Sequence, residues 1–150
     1  MAAQQIVIDT NVVVKFFVQE TGSIDANGLL EAVLSAEVEL LAPDFMLIEF
    51  VNVLWLKVAR GDLDDYEAEQ IIAQFQSLEE LIEIIPARRM LADAYRTARV
   101  HNHSAYDAAF LALAEGFGIS FLTADRKFYQ KAKILSSRPV LLCDWETVLR

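Results

Sequence analysis

The stretch Ile6-Val7-Ile8-Asp9-Thr10-Asn11 decides the fold. Consecutive residues of a strand point to opposite faces, so three aliphatics in a row need cover on both sides. A strand over Gln5–Asp9 is therefore predicted to be a buried parallel strand of an α/β domain. It ends at an acid, and a helical start near Val12 follows.

Outward from that stretch, short apolar runs alternate with longer periodic ones, as in α/β chains. Helices are predicted over Asp25–Ala36, Asp44–Ala59, Asp64–Leu78, Ala87–Arg99, Ser104–Glu115 and Asp125–Lys133. Further strands are predicted over Glu39–Ala42, Leu81–Ile85, Ile119–Thr123 and Val140–Cys143. Asp44 is a suitable N-cap and Gly61 a suitable stop for the helix between them. No internal repeat, low-complexity tract or linker divides the chain, so a single domain over residues 1–150 is expected. Ligands of open parallel sheets sit beyond the carboxyl ends of the strands. Asp9 and Asp125 both fall on that edge.

The chain has 150 residues, 55% hydrophobic, with mean hydropathy +0.30. That is apolar enough to suggest a surface reserved for a second copy, a homodimer. Its uncharged runs are too short to span a bilayer, which needs about 20 apolar residues. The opening MAAQQ lacks a basic segment, so no signal peptide is expected. One cysteine, Cys143, allows no internal disulfide, in keeping with the cytoplasm. The net charge of −9 is unevenly spread: residues 1–85 hold 16 acids against 3 bases, residues 86–138 hold 4 against 9. Overall acidity argues against broad nucleic-acid affinity. The basic second half leaves room for a local phosphate-binding surface.

Four acids stand in apolar surroundings: Asp9, Glu49 in FMLIEFVNVLW, Asp107 in SAYDAAFLALA and Asp125 in FLTADRKF. Burying an unpaired carboxylate costs several kcal/mol, roughly, and few cations lie nearby in sequence. Each has a plain structural explanation. Asp9 and Asp125 would cap helices, Glu49 would pair with Lys57, and Asp107 would close a capping box with Ser104. Convergence on one divalent metal explains all four together.

In this order and spacing, Asp9-Thr10-Asn11, Glu49, Tyr106-Asp107-Ala108 and Thr123-Ala124-Asp125 resemble the PIN-domain family, in particular its VapC-type toxins. The likeness runs from about Ile6 to Cys143. It implies a three-layer α/β/α sandwich with a central, mostly parallel sheet. It also implies an endoribonuclease dependent on Mg²⁺ or Mn²⁺, commonly dimeric and neutralised by a small antitoxin protein. Asp9, Glu49, Asp107 and Asp125 would be the catalytic metal ligands, with Asn11 and Thr123 orienting carboxylates or the attacking water. An all-carboxylate site suits a hard cation that keeps several waters. His101 and His103 depart from the pattern: two histidines two apart near a carboxylate suit a softer metal, but the simpler reading is loop or surface groups.

Two other classes compete. A haloacid-dehalogenase-like phosphohydrolase also places an aspartate after its first strand, but needs a second two residues on, where this chain has Asn11. A non-catalytic interaction protein accounts for the apolar segment Phe45–Leu56 but not for four retained acids.

Overall fold

In the computed structural model, which describes residues 2–150, Ile6, Val7 and Ile8 are all at most 1% exposed, so both faces of their strand are covered. Met1, at the head of MAAQQ, lies outside the described residues. The strands are β1 (Gln4–Ile8), β2 (Val38–Pro43), β3 (Ile82–Ile85), β4 (Ser120–Thr123) and β5 (Pro139–Leu141). They form one sheet in the order β3-β2-β1-β4-β5, and every neighbouring pair is parallel. The sandwich is thus α/β as predicted, with its sheet parallel throughout.

The helices are α1 (Thr10–Val14), α2 (Ser23–Leu34), α3 (Met46–Ala59), α4 (Asp65–Leu78), α5 (Leu91–His101), α6 (Ala105–Phe117) and α7 (Arg126–Ala132). In α6, every residue from Ala108 to Ala114 is buried, so this helix is enclosed all round. Two aromatic clusters build the core. Phe50 stacks on Phe75 at 4.1 Å with the Phe17 edge against both, and Phe121 joins Phe110 to Phe128.

Local differences from the sequence reading have local causes. Asp44 does not cap α3, because its Oδ2 accepts from the Ala87 N–H at 3.2 Å and ties β2 to the segment after β3. The helix predicted over Ala87–Arg99 is broken: a 3-10 turn at Ala87–Arg89 precedes α5, with Met90 at a non-helical φ of −126° between them. The last strand, predicted over Val140–Cys143, ends at Leu141, and residues 142–149 form 3-10 turns packed on α2. Gly61 and Gly118 end α3 and α6 at φ +82° and +69°, left-handed values that glycine adopts without steric cost.

Parallel strands bring the ends of β1 and β4 together. The register sets Ile8 opposite Leu122, and the Asp9 N–H continues the ladder to the Leu122 carbonyl at 3.0 Å. Asp9 and Thr123 therefore emerge side by side at the carboxyl edge of the central strands.

Candidate functional site

Asp9 is the N-cap residue of α1 by its backbone alone: its carbonyl accepts from Val12 and Val13, and its carboxylate makes no cap bond. The carboxylate is turned instead into the sheet edge, 6% exposed. There its Oδ2 accepts from the Thr123 hydroxyl at 2.8 Å and from the Asn11 amide at 3.3 Å. Asn11 is itself held, because its Oδ1 accepts from the Ala124 N–H at 3.2 Å.

Glu49 sits in the first turn of α3, one turn from the edge of β2. Its Oε2 accepts from the Thr10 hydroxyl at 2.9 Å. The alternative partner, Lys57, is 2.6 Å from Glu20, which also receives Lys15 at 3.0 Å. Burial would raise the Glu20 carboxyl, but the two lysines outweigh it and hold the group below its usual range. Both nearby lysines are thus committed away from the site.

Asp107 lies in the first turn of α6. Ser104 caps this helix through Oγ at 3.4 Å from the Asp107 N–H. The Asp107 carboxylate faces His103, whose Nε2 is 2.8 Å from Oδ2. Asn102, left-handed at φ +50°, ends α5 and turns the chain so that the His103 ring stacks on buried Phe128 at 4.5 Å.

Asp125 occupies a different role in this arrangement. Its Oδ1 accepts from the Phe128 N–H at 2.9 Å and caps α7. It reaches the others through Thr123, whose hydroxyl accepts from the Asp125 N–H at 3.0 Å.

The first three acids repel one another. Burial, chiefly, with repulsion from Asp107 and Glu49, pushes the Asp9 carboxyl up to about 7 against the opposing Thr123 bond. Burial and the Asp107 charge likewise raise Glu49, against its bond from Thr10. Among the described residues, no three His, Cys, Asp or Glu side chains form a ready-made metal-holding group. Mg²⁺ retains waters and is commonly held by one or two carboxylates, so it does not need a closed cage. A buried acid with no cationic partner among the described residues, repelled by two neighbours, fits such a hard divalent ion.

Two residues of this network escape a sequence reading. Thr10 follows Asp9, but its partner Glu49 lies 39 residues away. His103 resembles a loop histidine until α7 is folded against it. His101 stays apart: burial lowers its pKa, partly opposed by Glu115.

A family model described as "PIN domain" matches residues 6–134. Ribonuclease VapC3 of Pyrobaculum aerophilum is 31% identical over 127 residues, covering 85% of this chain and 94% of its own. Among solved structures, PAE2754 from Pyrobaculum aerophilum aligns at TM-score 0.65 and 20% identity, over 99% of this chain and 94% of that one. FitAcB from Neisseria gonorrhoeae aligns at TM-score 0.62 and 18% identity, over 93% and 98%. FitAB bound to an IR36 DNA fragment aligns at TM-score 0.63 and 18% identity, over 91% and 94%.

Proposed function

This chain belongs to the PIN-domain family, and on that premise we propose that it is a divalent-metal-dependent endoribonuclease, the toxin of a toxin–antitoxin pair. The observation that carries the proposal is Asp9: a carboxylate at the carboxyl edge of the sheet, buried, crowded by Glu49 and Asp107, with the neighbouring lysines bound to Glu20. The 31% identity to a protein named a ribonuclease supports RNA as the substrate.

In this reading Asp9, Glu49 and Asp107 hold Mg²⁺ or Mn²⁺ directly or through water, and Asp125 completes the site from the α7 cap. Such an ion supplies charge neutralisation at a phosphate and a lowered pKa for a water nucleophile. The protein's own groups supply aim. Thr123 and Asn11 fix one oxygen of Asp9, Thr10 fixes one oxygen of Glu49, and His103 fixes one oxygen of Asp107. With these oxygens engaged, the remaining lone pairs are restricted in direction, which is the preorganisation a hydrolytic site needs.

The exposed apolar residues of α3, Ile48, Val51 and Trp55, recur along one face and fit a homodimer. Among the described residues no helix is long and apolar enough to cross a membrane. The proposed location is the cytoplasm, with a small antitoxin protein as partner.

Incubating purified, antitoxin-free protein with total cellular RNA and Mg²⁺ or Mn²⁺, then mapping new 5′ ends, tests the proposal. A small set of metal-dependent cuts, absent in Asp9→Asn and in chelator, is expected. RNA left intact by a folded, metal-loaded sample would overturn the reading in favour of a binding role.

A further inference from the structure

Residues 126–133, Arg-Lys-Phe-Tyr-Gln-Lys-Ala-Lys, hold four cations and no acid in a chain whose net charge is −9. Of the nine lysines and arginines elsewhere in the chain, four meet carboxylates among the described residues: Lys15 and Lys57 meet Glu20, Arg96 meets Asp93 and Arg138 meets Glu115. Among the described residues, Arg126, Lys127, Lys131 and Lys133 form no such pair. Lys131 hydrogen-bonds the Asn102 carbonyl, and Lys133 lies 5.3 Å from the Tyr129 ring centre. Phe128 and Ala132 bury the inner face of α7, leaving Arg126 and Lys127 exposed. A solvated surface of an acidic protein would be expected to mix signs. This one does not.

Its position matters as much as its charge. α7 joins the carboxylates at two points: through Asp125 and Thr123 to Asp9, and through Phe128 and His103 to Asp107. Arg126 also lines a cleft of about 320 Å³ with Lys15, Asp25, Ala124 and Cys143, next to the Ala124 N–H that holds Asn11. Tyr106, beside Asp107, is 68% exposed and braced edge-on by Phe45, so it offers a flat face to an unpaired base.

We propose that α7 is the docking track for a single-stranded RNA backbone, with Arg126, Lys127 and Lys131 binding phosphates that flank the one at the carboxylates. The inference rests on the ribonuclease reading and deepens it. The local cations offset the repulsion that an acidic protein exerts on a polyanion, and each phosphate bound releases counterions. Seven helical residues span about 10 Å, enough for only a few nucleotides, so α7 sets the register of the strand next to the site.

Binding of a short labelled oligouridylate in chelator, where nothing is cut, tests this apart from catalysis. The dissociation constant is measured against salt for wild type, Arg126→Gln, Lys127→Gln, Lys131→Gln and Arg60→Gln, the last removing a charge from the far end of α3. Each α7 variant should bind more weakly, with the salt slope shallower by about 0.7 for every phosphate that is no longer neutralised. Arg60→Gln should match wild type. Wild-type slopes in all three α7 variants, or an equal loss in Arg60→Gln, would overturn the proposal. Equally tight binding of polyglutamate would overturn it in favour of an acidic protein partner. Metal-dependent cleavage with unchanged slopes leaves the nuclease reading standing and removes α7. Shallower slopes without cleavage do the reverse.

Discussion

Asp9 makes stability depend on pH in a direction opposite to most acids. Unfolded, it ionises near 3.8; folded, it keeps its proton up to about 7. Below the lower value both states carry the proton, between the two only the folded state does, and above the upper value neither does. The metal-free protein therefore loses stability as pH rises from about 4 to about 7, by up to a few kcal/mol, with Glu49 acting in the same sense. Asp9→Asn should flatten that slope, and urea unfolding in chelator at about pH 5 and about pH 8 measures it. An undiminished slope in the variant would show that Asp9 is not its source. His103 gives a second test. If it aims Asp107, His103→Ala should weaken Mn²⁺ binding about tenfold or more by calorimetry, and His103→Gln, which retains a donor, should recover part of the loss. Of these two residues only Asp9 was legible in sequence, because its strand and its charge are adjacent. The place of His103 depends on Phe128, which lies far along the chain in another helix.

At the scale of elements, α7 separates capping from chemistry. Asp125→Ala should cost about 1 kcal/mol of stability, whereas Asp125→Asn should cost almost nothing, since an amide oxygen caps as well. Slow cleavage in the stable Asn variant would then report a need for the carboxylate itself. α3 bears on the core: Phe50→Ala removes the ring stacked on Phe75 and should destabilise by about 3–5 kcal/mol in thermal or urea unfolding. The strands and most helices could be read because their periodicity lies within each segment. Asp44 could not, since its partner, the Ala87 N–H, comes from a different crossover. The same holds for Met90, where two short helical pieces share a continuous apolar pattern that does not show the break. The predicted capping box at Ser104 was half right, because the serine caps while Asp107 turns to His103.

For the whole molecule, the α3 stripe predicts a dimer. Sedimentation should give twice the 16.9 kDa chain mass, and Trp55→Asp should shift the protein toward monomer. A monomeric wild type at all accessible concentrations would sink the homodimer. The parallel sheet has a consequence in time. Asp9 is among the first residues made, yet the hydroxyl that holds it belongs to Thr123, 114 residues later. The central strand also lacks one neighbour until Ser120–Leu122 have been added. Chains grow at roughly 5–20 residues per second, so for several seconds each nascent copy holds Asp9, Glu49 and eventually Asp107 without the strand that completes their edge. The carboxylate edge of the central strand is thereby completed only late in synthesis. A chain truncated before β4 lacks both the Thr123 hydroxyl that holds Asp9 and one neighbour of its central strand.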